Sequence, residues 1–268
     1  MASVVGLVAA VLWVFPVYWM WSSALLPNRR LQSFTPNFVP TGGTLENFRG
    51  VLAGGGFLSA LGMSLSITLL AVTVCLLFAF LAALAISRYR FRGRTSFVVA
   101  VLLVQMLPAE GLFIAQYKLM QGIGGLETVW GVSLLYAALV VPFTVWMLRG
   151  FVAAVPVELE EAAYLDGASW LRMFRSVLLP LVMPGLVATS IFSFITAWNE
   201  FIFAMTILGA QTDQYTVSIG LKSFFGLHSN DWGSIMAAST IITVPVMIFF
   251  VLVQRKLASG MVAGAVKG

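Results

Sequence analysis

The chain has 268 residues, of which 60% are hydrophobic and only 9% charged, with a formal net charge of +5 at pH 7. A soluble domain carries about 25% charged residues, so a mean hydropathy of +0.98 excludes an ordinary water-soluble globule and makes lipid the main solvent. The basic residues stand in small groups between apolar runs, which excludes a nucleic-acid surface, while the single Cys75 allows no disulfide framework and His228 has no His or Cys partner at metal-ligand spacing.

Six apolar segments approach the ~20 residues that a membrane-crossing helix needs: about 3–26, 59–86, 97–117, 128–148, 186–208 and 233–254. The expected fold is an all-α integral membrane protein, with 1–268 forming a single transmembrane domain. The first segment is too long for a signal peptide and has no basic residue before it, so it is read as a retained span. The stretch 27–58, containing PNRRLQSFTPNFVPTGGT, reads as an irregular loop. Pro16, Pro108, Pro142 and Pro245 fall within spans and predict kinks whose freed carbonyls are satisfied by neighbouring helices. An even number of spans puts both termini on one side. Segments 87–96, 149–185 and 255–268 hold ten Lys and Arg against five in the opposite segments, so the ten and both termini are assigned to the cytosol.

Between spans four and five lies EAAYLDGASWLRMFRSVLLP, residues 161–180, the least hydrophobic long stretch of the second half. Pro156 suits the first position of a helix, where its missing N–H would be unpaired anyway, and Glu158, Glu160 and Glu161 come next, near the positive end of the helix dipole. Leu159, Ala162 and Ala163 lie on one side at helical spacing. Gly167 fits a left-handed C-terminal cap and Ser169 the N-cap of a second helix. Trp170, Met173, Phe174 and Val177 then recur as an apolar helical stripe, with Arg172 and Arg175 on another side, and Pro180 and Pro184 break the pattern before span five. The expectation is two short helices at the membrane surface, set at an angle by Gly167. On spacing alone this elbow is either a helix offered to a groove on another protein or an amphipathic loop packed on lipid and its own spans.

Along span five, Thr189, Ser193, Thr196 and Glu200 step by four, three and four and share one face, with Asn199 beside them. A charge at that depth costs about 3 kcal/mol, so the face should turn toward the bundle interior. Two readings stand. The face lines a translocation route through Ser193, Thr196, Asn199 and Glu200, joined by Gln105 and Glu110 of span three. Otherwise it is a buried hydrogen-bond network locking helices together. Trp13, Trp19 and Trp21 read as packing or an interfacial belt, and Asp213, Lys222, His228 and Asp231 as solvated residues outside.

No GxSxG, HExxH or GxxxxGK[ST] pattern occurs, which argues against a membrane enzyme and against an ATP site of the Walker type in this chain. Six spans without an internal repeat also fall short of a single-chain secondary transporter. Glu161-Ala162-Ala163, three residues, Gly167, nine residues and Val177-Leu178-Leu179-Pro180 resemble the EAA-x3-G-x9-I-x-L-P motif, with Val177 in place of Ile. That motif marks the permease subunits of bacterial ATP-binding-cassette (ABC) importers. TAWNEFIFAMTIL (196–208), QRKLASGMVAGAVKG (254–268), ISRYRFRGR (86–94) and WGSIMAAS extend the resemblance over essentially the whole chain and are similar to the carbohydrate branch, in its smaller maltose-type subunit.

The resemblance implies a cytosolic coupling helix between spans four and five, with Glu161, Ala162, Ala163, Asp166, Gly167, Leu179 and Pro180 meeting an ATPase. It further implies that the tail residues Gly264, Lys267 and Gly268 reach the same partner. The expected partners are a second permease subunit, an ABC ATPase dimer and an extracytoplasmic solute-binding (lipo)protein. ATP and magnesium are bound by the ATPases, so this chain holds no cofactor and no metal. The expected cargo is a di- or oligosaccharide moved inward across a bacterial cytoplasmic membrane; glycerol-phosphate-type, amino-acid and peptide importers are the alternatives.

Overall fold

Within hydrocarbon every backbone N–H and C=O must be paired inside the chain, and a sequence this apolar meets that demand with helices. The computed structural model describes residues 2–209, 215–226 and 230–264, apart from the side chains of 2, 109, 110 and 255–264. Among the described residues there is no strand, and one bridge pairs Phe225 with Asn230. Among the described residues, five helices are long and apolar enough to cross a membrane. They lie within α1 (Ala2–Ala24), α4 (Phe57–Arg88), α7 (Val129–Ala153), the continuous helix Trp170–Trp198, and α13 (Trp232–Gly264).

The expected third span is divided. α5 (Arg94–Met106) stops at Leu107, a 3-10 turn covers Ala109–Leu112, and α6 (Phe113–Gly122) comes after it. Leu107 is extended, with φ −79° and ψ 130°, because the ring of Pro108 disfavours helical geometry in the residue before it.

The chain forms two compact units. One comprises 1–64 and 210–246. Its segment 27–58 is irregular over 32–45, as expected, but also holds two short helices, α2 (Asn28–Leu31) and α3 (Glu46–Ala53), with Val51 buried. Asn47 Nδ2 donates to the carbonyls of Ala24 (2.8 Å) and Leu26 (2.9 Å), satisfying acceptors that the end of α1 leaves open. Asn28 Nδ2 donates to Asp231 Oδ1 at 2.6 Å, and the same oxygen accepts from Ser234 N at 3.1 Å, capping the start of α13.

The second unit comprises 65–209 and 247–268, and α7 is central to it, with Val132, Tyr136, Val140, Thr144 and Leu148 all buried along its length. Hydropathy does not reveal the buried faces, because lipid-facing positions are apolar too; small residues do. Ala71, Cys75, Ala79 and Ala83 recur every fourth residue on α4 and are each no more than 2% exposed. α10 (Leu179–Trp198) answers with buried Gly185, Thr189, Ser193 and Ala197 at the same spacing. At the centre Thr144 Oγ1 of α7 lies 3.4 Å from Ser193 Oγ and accepts from Cys75 Sγ at 3.5 Å.

Candidate functional site

α8 (Val157–Leu165) starts just after Pro156, which sits at the N-cap position, and carries Glu158 and Glu160 in its first turn. Its C-terminus closes in a double-bonded cap: Ala168 N donates to Ala163 O and Gly167 N to Tyr164 O, both at 3.0 Å, with Gly167 at φ +79°. That is the Schellman arrangement, and it requires a left-handed residue where the sequence supplies glycine. Ser169 Oγ then accepts from Arg172 N at 3.4 Å and opens the next helix. Both caps match the sequence reading.

The second arm differs from expectation. α9 (Trp170–Met173) runs through a π-helical turn, Phe174–Leu178, directly into α10, so residues 170–198 form one 29-residue helix with no stop at Pro180. In the wide turn Leu179 N donates to Phe174 O, five residues back. This geometry makes room for the Pro180 ring, which in a regular helix clashes with the carbonyl four residues before it. The elbow is therefore α8 set against the base of a membrane-crossing helix.

Its inner face is anchored. Met173, Leu178 and Val182 join Ala79, Phe80, Ala83 and Ile86 of α4 and Val145, Leu148 and Val152 of α7 in one buried cluster, against which Ala163, Ala168 and Leu179 pack. Trp170 stacks on Phe174 with ring centroids 5.4 Å apart. Glu160 faces inward, and its Oε1 accepts from Arg88 Nε at 2.7 Å, the two side chains being 11% and 13% exposed. Arg88 also donates through an NH2 group to Val155 O at 2.9 Å. In the sequence Arg88 reads only as a topological charge and Glu160 only as a dipole partner. The signal was Glu160 three residues before Ala163 on the same face: a carboxylate on the packed side of a helix requires a counter-charge.

The outer face is open. Glu158, Glu161, Ala162, Asp166, Gly167 and Pro180 are exposed or only partly covered, Ala163 and Leu179 half-buried. Leu165, at the end of α8, is 89% exposed. A nine-residue helix thus presents carboxylates, a flat alanine and a bare leucine on one side while its other side is fixed.

The polar residues of span five do not act as one stripe. Thr189 and Ser193 are fully packed, Thr189 Oγ1 donating to its own helix at Gly185 O, 2.8 Å away, and Ser193 belonging to the Cys75–Thr144 cluster. Thr196 is half-buried. α10 ends at Trp198; Asn199 is exposed, and its Nδ2 donates to Ile195 O at 2.8 Å. The expected single span to 208 is interrupted there, and α11 (Ile202–Ile207) begins anew. Glu200 serves that start: its carboxylate accepts from Phe203 N at 2.9 Å and Ala204 N at 3.2 Å, while its carbonyl accepts from the Tyr136 hydroxyl at 3.3 Å. Gln105 is exposed on α5, which packs against α7. The Glu110 side chain, Asp213, His228, Lys267 and Gly268 lie outside the described residues, and Gly264 ends α13.

Residues 47–262 match the family described as binding-protein-dependent transport system inner membrane component. The chain is similar to the diacetylchitobiose uptake system permease protein DasC of Streptomyces coelicolor, 42% identical over 255 residues that cover 95% of this chain and 92% of that protein. It is also similar to the trehalose/maltose transport system permease protein MalG of Thermococcus litoralis, 33% identical with 98% and 95% covered. In fold it matches a chain from the crystal structure of a bacterial ABC transporter involved in the import of the acidic polysaccharide alginate. The TM-score is 0.78 at 22% identity, covering 95% of this chain and 94% of that one.

Proposed function

The chain belongs to the family of binding-protein-dependent transport system inner membrane components, and on that premise we propose that it is the permease subunit of an ATP-driven importer that carries a di- or oligosaccharide inward across a bacterial cytoplasmic membrane. It is a multi-pass membrane protein with several apolar helices. The remaining parts are separate chains: a second permease subunit that completes the pore, a dimer of ATPases that binds ATP and magnesium, and an extracytoplasmic solute-binding protein that delivers the sugar. Both termini and the elbow face the cytosol, where the basic segments belong.

One observation carries the coupling role. α8 is fixed on its inner face and bare on its outer face, with Leu165 89% exposed beside Glu161, Ala162 and Asp166. An exposed leucine amid carboxylates is not a lipid-facing surface; a protein groove with an apolar floor and basic rim would cover it. ATP-driven closure of the motor then displaces α8, and because the second arm is continuous with α10, the displacement enters a membrane helix without a flexible joint. Sugar specificity is supported by relatives named for diacetylchitobiose and for trehalose and maltose.

The test is mild-detergent purification with identification of co-purifying chains, then measurement of which sugars stimulate ATP hydrolysis by the reconstituted complex. An ATPase that co-purifies and responds to an oligosaccharide through its binding protein supports the reading. Activity with no such motor bound would end it.

A further inference from the structure

In sequence the elbow adjoins only α7, before it, and α10, after it. The structure adds a third helix. The last turn of α4 is bolted to both sides of the elbow's root: Arg88 Nε donates to Glu160 of α8 at 2.7 Å, its NH2 group donates to Val155 O at 2.9 Å, and Ser87 Oγ donates to Arg149 O of α7 at 3.4 Å. Below this turn Ile86, Ala83 and Phe80 enter the cluster that also holds Met173 and Leu178.

We propose that Arg88 is a positioning residue for transport, tying α4 to the coupling helix so that displacement of α8 moves three membrane helices as one block. This rests on the reading of the chain as an importer permease, and it extends that reading to a residue 72 positions away from Glu160 in the chain. Apolar packing holds neighbouring helices together without prescribing a direction, because the hydrophobic effect is non-directional and each dispersion contact is weak. A charge-assisted pair with a second hydrogen bond from the same guanidinium fixes both distance and angle, which a fork of rigid donors does and a single ammonium does not. A cavity of about 260 Å³ lies beside the pair, lined in part by Tyr89, Tyr164 and Trp170.

The experiment uses the whole complex in proteoliposomes and reads two quantities, ATP hydrolysed and sugar accumulated, for Arg88→Ala, Arg88→Lys, Glu160→Gln, Arg88→Glu, Glu160→Arg and the exchanged pair that combines the last two. Arg88→Ala is expected to raise the ATP consumed per sugar by about fivefold or more, in the range of ordinary coupling energies, with the complex assembled and ATP still hydrolysed. Arg88→Lys restores part of the wild-type ratio and the exchanged pair restores more than either of its single substitutions. A wild-type ratio in Arg88→Ala overturns the proposal, as does an exchanged pair no better than its single members. Loss of assembly in Arg88→Ala shifts the decision to Arg88→Lys and Glu160→Gln: unchanged ratios in both overturn it. A wild-type complex that accumulates no sugar with ATP refutes the importer reading itself, so the two failures are distinct.

Discussion

Replacing Gly167 tests whether the bend in the elbow transmits force, and its cost can be worked from local geometry. A Cβ at this position would meet no atom within 4 Å, so crowding contributes nothing and the penalty is purely one of backbone conformation at φ +79°. For alanine that penalty is about 1–2 kcal/mol, reduced by up to ~1 kcal/mol through the stiffer unfolded chain. The net is about 1 kcal/mol, a factor of about five in the population of the formed cap. Asparagine tolerates the left-handed region and should cost less than alanine. Proline cannot reach positive φ and removes the N–H that bonds Tyr164 O at 3.0 Å, a loss of about 3 kcal/mol or more. Reconstituted complexes of Gly167→Asn, Gly167→Ala and Gly167→Pro should therefore show ATP consumed per sugar rising in that order. Gly167→Pro should remain inserted in the membrane and hydrolyse ATP while transport is lost. Wild-type transport in Gly167→Pro, or an asparagine variant worse than alanine, would refute the reasoning.

Gly185 packs so closely on Phe151 that an added Cβ would overlap its ring. Gly185→Ala should cost about 1–3 kcal/mol by overpacking, read as a lower unfolding temperature of the detergent-solubilised protein. Ser193→Ala removes one member of a buried cluster 3.4 Å from Thr144. It should lower stability by about 1 kcal/mol and leave the KM for sugar unchanged, whereas a raised KM would return Ser193 to the route. Glu200→Ala strips two amides of α11 of their acceptor, with a loss of about 1 kcal/mol for an N-terminal cap. Impaired transport or assembly is expected, and unaltered transport kinetics would remove Glu200 from the site.

Local chemistry decided which features could be read from the chain. Gly167 and Ser169 announce their caps because a left-handed residue and a hydroxyl N-cap are demands of single residues, and both are met. Of the apolar stripe, Met173 is buried in the core cluster and Phe174 packs against it, while Trp170 stacks on Phe174 and stays 54% exposed, because a helical period marks a face without fixing how far it is covered. Pro180 misled, since whether proline ends a helix or is absorbed by a wide turn depends on the packing around it, here through the Leu179–Phe174 bond. Pro108 did the opposite and divided a run that hydropathy reads as continuous. Hydropathy also hid the buried faces: Ala71, Cys75, Ala79 and Ala83 differ from lipid-facing residues in size and not in polarity. The Arg88–Glu160 pair is a contact across the fold, and only the inward placement of Glu160 hints at it.

The relatives place the chain in an importer family, yet the role of the elbow rests on its exposed side meeting a motor. Leu165, 89% exposed at the tip of α8, reports on that directly. With Cys75 buried, Leu165→Cys supplies an accessible thiol, and its labelling by a membrane-impermeant maleimide can be tracked in cells, in inverted vesicles and in the purified complex. No labelling is expected from outside cells, with labelling in inverted vesicles stripped of the ATPase and protection once the ATPase is restored. Labelling from outside intact cells, or equal labelling with and without the ATPase, would contradict that role of the elbow.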